Sequence, residues 1–324
     1  MSIELESKAS SEASFSGLIR RQFTKPKLLP TGKPFTDQVA IVTGSNAGLG
    51  LEASRHLLKL GVAHLIMGVR SVTKGEKAAA PFREEFPSSK VSVWTLDMES
   101  YDSIRAFVDQ CAALPRLDVV ILNAGIGASN YARVPATGHE TTIQVNYLST
   151  ALLAILLLPT LKKQESSKAG GKPPTMTVVS SDVVYTTPLI RTAGTTLLKQ
   201  FDEPSTYSAF QRYGISKLAL LLFICRLAET VDPNEVLINS VNPGMTTGTN
   251  FFSANPWIVR KIVGLIQAAL ARPTDVGATN YLDAILSYGA KSHGSFVSDW
   301  QVKPYVQHLA KLTITANYIH KICH

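Results

Sequence analysis

Short apolar segments alternate with helical segments along most of this chain, and this alternation restricts the possible folds more than any other feature. The apolar segments, in chain order, are "VAIVTG", "HLIMGVR", "KVSVWTLDM", "LDVVILNAG", "PTMTVVSS", "VLINSVNPG" and "GSFVSDWQV". Strands that are apolar throughout and separated by helices form a parallel sheet covered on both faces. The sequence therefore predicts an α/β fold with a doubly wound parallel sheet, whose ligands bind beyond the carboxyl ends of the strands.

The flanking segments set the expected domain boundaries. Residues 1–36 begin Ser/Glu-rich and end with "RRQFTKPKLLPTGKPF", a composition that predicts a partly flexible N-terminal extension lying on the surface. We expect one folded domain over residues 37–303 and a C-terminal tail over residues 304–324. Of the 324 residues 45% are hydrophobic, which is enough for a substantial core.

Charge and cysteine content narrow the functional classes. The net charge of +8 suits binding to anionic ligands or to an anionic membrane surface. A basic surface that is merely solvated is the alternative. No block of Lys and Arg with interleaved aromatic residues occurs, which argues against nucleic acid. The cysteines Cys111, Cys225 and Cys323 are far apart and form no CxxC pair, which argues against a metal site or a disulfide framework.

Targeting signals give the expected location. The polar, partly acidic start "MSIELESKASSEAS" resembles neither a secretory signal nor a transit peptide. The most apolar stretch, "ALLAILLLPTL", is too short to span a bilayer. We therefore expect a cytoplasmic protein.

Three glycines mark the junction between the first strand and the first helical segment after it. Gly44 allows a tight turn, while Gly48 and Gly50 let the backbone approach a pyrophosphate and let the helix pack on the strand. The helix N-terminus then offers N–H groups to phosphates. A simple turn would have the same composition, so this interpretation depends on the motifs that follow.

A tyrosine and a lysine further along have the spacing of a functional pair. Tyr213 and Lys217 are four residues apart, so on a helix they share one face. A lysine ammonium near a phenol favours the phenolate, and we expect it to lower the pKa of Tyr213 toward neutrality.

These motifs together resemble the short-chain dehydrogenase/reductase family from Gln38 to Val302. The resemblance rests on T-G-x-x-x-G-x-G from Thr43, "NAG" at Asn123 and "YGISK" at Tyr213. "GVRSVTKGEKA" and "GSFVSDW" look most like the retinol-dehydrogenase-like and fungal secondary-metabolite reductase branches. The resemblance implies a Rossmann fold in a single domain, with a substrate lid at about residues 247–273.

The resemblance also implies roles for four residues. Tyr213 would be the general acid that protonates a carbonyl oxygen, and Lys217 would hold the nicotinamide ribose. Ser181 would hydrogen-bond the substrate oxygen, and the backbone carbonyl of Asn146 would hold a water in a proton relay. Ser180 stays an alternative to Ser181, because the segment between the serines and Tyr213 is longer than the family usually has. A cap of a turn or helix fits Ser180 better.

The cofactor residues implied by the resemblance lie at the strand ends. They are Gly44, Ser45, Asn46, Gly48, Leu49, Gly50, Arg70, Ser71, Asp97, Met98, Asn123, Ala124, Gly125, Tyr213, Lys217, Pro243, Gly244 and Thr246. Arg70 follows the second strand, where an acidic residue would accept hydrogen bonds from an adenosine 2′-OH. The planar donors of an arginine suit a 2′-phosphate instead, so we expect NADPH (NADP+). A solvated surface arginine is the alternative.

The functional hypothesis follows from these residues. An NADPH-dependent carbonyl reductase (a ketoreductase) would transfer hydride to an apolar ketone or aldehyde, such as a polyketide-type secondary metabolite. The alternative enzyme is a membrane-associated retinoid- or steroid-type alcohol dehydrogenase, because the apolar residues 247–273 with Arg260 and Lys261 also fit a membrane-surface helix. The non-enzyme alternative is an NADPH-binding regulatory protein. Within the family the helices from Asn146 and Tyr213 form a homodimer surface, although they suit a core equally well.

Overall fold

The computed structural model describes residue 8 and residues 10–163, 171–188, 196–247, 264 and 270–304. Eight strands form one sheet in the order β3-β2-β1-β4-β5-β6-β7-β8. All neighbours are parallel except the β7–β8 pair. The strands are β1 Val39–Thr43, β2 His64–Val69, β3 Lys90–Thr95, β4 Val119–Leu122, β5 Thr175–Val179, β6 Leu237–Asn242, β7 Phe296–Ser298 and β8 Gln301–Lys303.

Strand order places the ligand crevice. The chain starts at β1 and winds outward to β3, then returns to the other side of β1 through β4. Such a reversal opens a crevice at the carboxyl ends of β1 and β4. The predicted doubly wound α/β fold is therefore confirmed.

Helices cover both faces of the sheet. They are α1 Phe15–Gln22, α2 Gly48–Lys59, α3 Val72–Glu85, α4 Tyr101–Ala112, α5 Thr141–Lys162, α6 Leu197–Phe201, α7 Ala209–Glu229 and α8 Thr274–Leu286. On one face, side chains such as Phe107, Leu153 and Ile224 from α4, α5 and α7 form the core. On the other face, Leu57 and Phe82 from α2 and α3 pack with Tyr281 from α8. Burial of both faces explains why the strands are apolar throughout.

The last predicted strand is in fact a hairpin. Asp299 and Trp300 form a two-residue turn between β7 and β8, with φ angles of 53° and 55°. Tight hairpins need such positive φ values, which favour Gly, Asn and Asp. Asp299 fits this preference but Trp300 does not, so the sequence carried only a weak signal for the turn. Packing holds the turn, since the Trp300 backbone N–H donates to Asn280 Oδ1 at 3.0 Å and its indole donates to Thr279 Oγ1 at 3.0 Å.

The N-terminal extension differs from its prediction. Residues 1–36 were expected to form a surface tail, yet α1 forms there, with Ser14 capping its first turn. Arg21 and Gln22 are buried in the fold, and Phe35 packs into the core beside α2 and α3. The composition misled because the buried charges of this segment are paired, Glu12 with both Arg21 and the distant Lys303. The predicted tail beyond residue 304 lies outside the described residues, as does most of the predicted lid.

One helix among the described residues has the length and composition of a membrane span. It is α5, Thr141–Lys162, whose most apolar window has a mean hydropathy of 1.6. The stretch "ALLAILLLPTL" within it was expected to be too short to span a bilayer. In the fold 61% of that window is buried, and its side chains pack against the sheet. Core packing accounts for the apolar composition of α5.

If the extension is part of the core, Phe35→Ala should lower the free energy of unfolding by about 3–5 kcal/mol, because a buried aromatic ring is lost. Phe23→Ala is the matched control, since Phe23 is 65% exposed and its loss should cost less than about 0.5 kcal/mol. Denaturant unfolding of both variants measures the difference. Equal, small effects would contradict the packing of Phe35.

Candidate active site

The glycine loop follows β1 and leads into α2. Gly44 and Gly48 have φ angles of +65° and +57°, which side chains rarely adopt. At Gly50 a Cβ atom would lie 2.5 Å from Asn123 Nδ2 and 2.6 Å from the carbonyl oxygen of Gly44. Two of the glycines are therefore needed for the turn and the third for the contact between helix and loop.

Asn123 ties the loop to the end of β4. Its side-chain N–H donates to the carbonyl oxygens of Thr43 at 2.9 Å and Gly44 at 3.3 Å. The hydroxyl of Thr43 accepts from the backbone N–H of Asn123 at 3.0 Å and of Ala124 at 2.9 Å. Tyr281, which the sequence analysis missed, donates to Asn123 Oδ1 at 3.1 Å. These bonds close the floor of the crevice between β1 and β4.

The loop has features that fit a dinucleotide phosphate. Ser45 is fully buried, and among the described residues its hydroxyl has no hydrogen-bond partner. Helix α2 begins after Ala47, whose methyl side chain cannot cap the first N–H groups. The missing Cβ atoms of the glycines leave the backbone open to close approach. Asn46 and Leu49 lie half-buried in the same loop. A phosphate oxygen could satisfy both the hydroxyl and the helix N-terminus.

Arg70 lies just beyond β2 at the same edge of the sheet. Its side chain is 68% exposed and pairs with Glu99 Oε1 at 2.9 Å. Glu99 follows β3 and was missed by the sequence analysis. Ser71 caps α3 by accepting from the Lys74 N–H at 3.4 Å. The predicted cationic group is therefore at the expected strand end, but with a carboxylate beside it.

The segment after β3 faces the crevice from the side. Asp97 is half-buried, and its carboxylate accepts from the Glu99 N–H at 3.0 Å. The carbonyl oxygen of the buried Met98 accepts from Ser149 Oγ at 2.5 Å. That bond fastens the segment to α5.

The serine, the tyrosine and the lysine come together between β5 and α7. Ser181 and Tyr213 share a side-chain hydrogen bond. Lys217 Nζ donates to the carbonyl oxygen of Val179 at 2.9 Å and lies 6.0 Å from the centroid of the Tyr213 ring. Gly125 leaves room for the ammonium, since a Cβ there would lie 3.3 Å from Nζ. The spacing of four residues places Tyr213 and Lys217 on one face of α7, and the end of β5 brings Ser181 next to them.

The structure contradicts the expected pKa of the tyrosine. The pKa of Tyr213 is raised to about 12. Burial is the main cause, the hydrogen bond of Ser181 opposes it, and the charge of Asp182 adds to it. Burial lowers the pKa of Lys217 to about 8. The expected lowering of the tyrosine pKa by the lysine is therefore wrong here, because loss of water around the phenol outweighs an ammonium held at a distance.

The two serines have different surroundings. Ser180 is buried, and its backbone N–H donates to the Val241 carbonyl oxygen at 2.8 Å. Ser181 is half-buried and is bonded to Tyr213. Ser181 also accepts from the Val183 N–H at 3.4 Å as the cap of a 3₁₀ turn, Asp182–Tyr185. The capping role that the sequence analysis gave to Ser180 therefore belongs to Ser181, which also contacts the tyrosine.

Asn146 lies in a π-helical turn, Gln144–Ser149, within α5. Its fully buried amide donates to the Ile126 carbonyl oxygen at 2.8 Å and to Ser216 Oγ at 3.0 Å, and it accepts from the Ile126 N–H at 2.8 Å. The Ser216 hydroxyl in turn donates to the Tyr213 carbonyl oxygen at 2.7 Å. Ser216, a further missed residue, therefore connects the π-turn to the helix of Tyr213. Such turns occur frequently at functional sites.

The remaining predicted residues follow β6. Pro243 and Thr246 are buried, and Gly244 has a φ angle of +78°. Gln22 of α1 bonds to the backbone of Met245 between them, which no sequence motif indicated. The segment therefore borders the crevice with α1 behind it.

A glycine loop at the switch point of a doubly wound sheet, with serine, tyrosine and lysine beside it, is the arrangement of a dinucleotide-binding oxidoreductase. Comparisons with known proteins agree. The profile of the short chain dehydrogenase family matches residues 38–171. "Short chain dehydrogenase virL" of Hypocrea virens is 53% identical over 305 residues, 94% of this chain and 89% of that protein. "Short chain dehydrogenase opdN" of Penicillium oxalicum is 41% identical over 94% of this chain and all (100%) of that protein. The chain belongs to the short-chain dehydrogenase family, whose members are oxidoreductases.

Solved structures agree in fold. A short chain dehydrogenase from Shigella flexneri complexed with NADP has a TM-score of 0.56 at 19% identity, covering 82% of this chain and 97% of that one. The carbonyl reductase Sniffer of D. melanogaster has a TM-score of 0.61 at 20% identity, covering 84% and 99%. At such identities the likeness concerns the fold alone.

The lowered pKa of Lys217 gives a prediction for stability. Between pH 8 and pH 10.5 the unfolded chain keeps a proton that the folded protein has lost, so the free energy of unfolding rises with pH through this group. Lys217→Met should therefore be stabilised relative to wild type at pH 7, and the difference should shrink by up to about 3 kcal/mol by pH 10. Denaturant unfolding at both pH values measures it. A difference independent of pH would contradict the lowered pKa.

Proposed function

We propose that this chain is an NADPH-dependent carbonyl reductase that transfers hydride to an apolar ketone or aldehyde. The observation that carries the proposal is the meeting of Ser181, Tyr213 and Lys217 at the crevice that the glycine loop borders. A hydroxyl that can hold an oxygen, a phenol that can donate a proton and an ammonium nearby are the groups that carbonyl reduction needs.

Tyr213 is suited to the acid role. A phenol with a pKa of about 12 is protonated at neutral pH and has a proton to give. The nicotinamide, when bound, supplies the hydride that reaches the carbonyl carbon. Tyr213 donates its proton to the carbonyl oxygen, and the hydrogen bond of Ser181 orients both the phenol and that oxygen. The ammonium of Lys217, about 6.0 Å from the ring, then stabilises the phenolate left behind.

Asn146 has a supporting role in this mechanism. Its side-chain amide is already engaged by Ile126 and Ser216, so it holds the π-turn against α7. Any part in returning a proton to Lys217 and Tyr213 therefore belongs to its backbone carbonyl. The bond from Ser216 to the Tyr213 carbonyl keeps the start of α7 in place.

Three observations support NADPH as the cofactor. The glycine loop and the buried hydroxyl of Ser45 fit a pyrophosphate. Arg70 is exposed at the end of β2, where it can reach a 2′-phosphate. Solved relatives of the same fold are complexes with NADP or NADPH. Glu99, which pairs with Arg70, is the carboxylate that would accept from a ribose hydroxyl if NADH were bound instead.

The substrate class follows from the composition of the segment after β6. The apolar composition of residues 247–273 supports an apolar substrate, and the resemblance to fungal reductases supports a secondary metabolite. We place the enzyme in the cytoplasm, as a homodimer in line with its family. Contact with a membrane surface is the alternative for residues 247–273.

The direct test is to follow NADPH consumption by its absorbance with a panel of apolar ketones and aldehydes, and to repeat the panel with NADH. Turnover of at least one carbonyl compound with NADPH supports the proposal. Cofactor binding without turnover of any carbonyl or alcohol would favour the regulatory alternative. Turnover of retinoid or steroid alcohols alone would favour the alcohol dehydrogenase.

Replacing the proposed acid should stop the reaction. Tyr213→Phe keeps the ring and removes the proton donor, so kcat should fall about 100- to 10,000-fold while cofactor binding stays. Tyr207→Phe is the control, because the hydroxyl of Tyr207 donates to the Ala128 carbonyl oxygen at 2.7 Å and the residue four positions later is Gln211. Native turnover in Tyr213→Phe would mean that another group is the acid.

Arg70 provides the test of cofactor choice. Removing one charge-assisted bond to a 2′-phosphate in Arg70→Ala should weaken NADPH about tenfold, since tenfold corresponds to about 1.4 kcal/mol, and should leave NADH unchanged. Arg70→Asp should reverse the preference. Arg105→Ala is the matched control, because Arg105 is also exposed and pairs with Asp102 at 2.9 Å. An unchanged ratio of the two dissociation constants in Arg70→Ala would make Arg70 a surface residue only.

A further inference from the structure

We propose that Gln22, at the end of α1, is a positioning residue for the nicotinamide end of the cofactor site. It would act by holding the segment Pro243–Thr246, so the N-terminal helix belongs to the working site. The proposal rests on the proposed function, because that function gives this segment its ligand. It adds a residue that lies outside the sheet and outside every motif of the sequence.

The contact itself is a paired hydrogen bond. Gln22 Nε2 donates to the Met245 carbonyl oxygen at 2.8 Å, and Gln22 Oε1 accepts from the Met245 N–H at 3.0 Å. One carboxamide therefore engages both polar groups of a residue that follows β6, as a neighbouring strand would. Only 6% of Gln22 is exposed. Loss of the amide would leave the half-buried Met245 N–H without this acceptor, which is costly.

The backbone at this point is shaped to accept the amide. Gly244 has a φ angle of +78°, and a Cβ atom there would lie 2.9 Å from Arg272 Nη1 and 3.3 Å from Gln22 Oε1. A side chain at position 244 would therefore displace both groups. The glycine of the motif and the glutamine of α1 fit each other.

Arg272 fastens the same segment to the same helix. Its backbone N–H donates to the Met245 carbonyl oxygen at 2.9 Å, and its carbonyl oxygen accepts from the Thr247 N–H at 2.9 Å. Its guanidinium donates to the carbonyl oxygens of Arg21 and of Gln22, the latter at 3.2 Å, and pairs with Asp299 at 3.3 Å. Arg272 thus caps the C-terminal end of α1 and fixes the distance between α1 and Met245.

A buried ionic cluster holds α1 in this position. Glu12 pairs with Arg21 at 2.9 Å and with Lys303 of β8 at 3.2 Å. Arg21 also lies 3.7 Å from Asp182, the residue after Ser181. Burial raises the pKa of Glu12, but its cationic partners outweigh burial and leave it lowered. A charged, matched cluster of this kind fixes the register of the helix, because shifting it would leave buried charges unpaired.

The consequence is specific to one end of the cofactor. The adenosine end binds at the glycine loop and Arg70, on β1 and β2, whereas Met245 follows β6 on the other side of the switch point. A shift of the Met245 segment should therefore weaken a ligand that contains nicotinamide and leave one without it unaffected. Adenosine 2′,5′-bisphosphate is such a ligand. A general loss of folding would weaken both.

The experiment compares three proteins in the full chain. Gln22→Met keeps the length of the side chain and removes both hydrogen bonds. Phe23→Ala is the matched control, because Phe23 follows Gln22 directly and is 65% exposed. Dissociation constants for NADPH and for adenosine 2′,5′-bisphosphate are measured by calorimetry. For each protein we also measure kcat and KM with a carbonyl compound that the wild type reduces, and the melting temperature.

We expect Gln22→Met to bind NADPH about tenfold more weakly, to bind adenosine 2′,5′-bisphosphate as wild type does, and to lose about 10- to 100-fold in kcat, as small displacements in a site do. Phe23→Ala should match wild type throughout. Equal weakening of both ligands, no change in either, or tighter NADPH binding in Gln22→Met would overturn the positioning role. A wild type that binds neither ligand refutes the proposed function and this role with it. If the wild type binds both ligands and Gln22→Met binds them equally well, only the positioning role of Gln22 is refuted.

Discussion

The hydrogen bonds of Asn123 are the constraint on which the rest of the site depends. A parallel sheet leaves its strand ends separate, and a crevice at the switch point exists only if β1 and β4 are held in register there. Asn123 bonds to the backbone of Thr43 and Gly44, and Gly50 packs against its amide. One side chain thereby fixes the glycine loop, the start of α2 and the end of β4. A shorter or charged residue at position 123 would release all three together.

A second constraint lies between the two apolar helices α5 and α7. Both bury large side chains against one face of the sheet, and apolar packing alone tolerates sliding of one helix along the other. The buried amide of Asn146 prevents that sliding, since it must find Ile126 and Ser216 at fixed distances. The π-turn gives Asn146 the position to do so. The start of α7, with Tyr213 on it, is in this way registered against α5 by polar contacts inside an apolar core.

The sequence predicted what is local and missed what is remote. Apolar, β-branched segments identified the strands, glycines identified the loop, and a spacing of four identified Tyr213 and Lys217, because each signal is complete within a few residues. Gln22 bonds to Met245, which is 223 positions away, and no pattern within α1 distinguishes that glutamine from a solvated one. The acidic partner of Arg70 likewise follows a different strand. The raised pKa of Tyr213 was missed because burial is a property of the packed fold rather than of the helix.

The pKa of the proton donor, Tyr213, depends on both local and remote groups, and these act in opposite directions. Burial, and to a smaller extent the charge of Asp182, raises the pKa of Tyr213, whereas the hydrogen bond of Ser181 lowers it. Arg21 lies 3.7 Å from Asp182 and lowers the pKa of that carboxyl against the burial that raises it. Arg21 is itself held by Glu12, so charges on the N-terminal segment act on the carboxyl group that in turn acts on the phenol. The N-terminal segment, whose composition predicted a surface tail, therefore influences both the pKa of Tyr213 and the position of Met245 after β6.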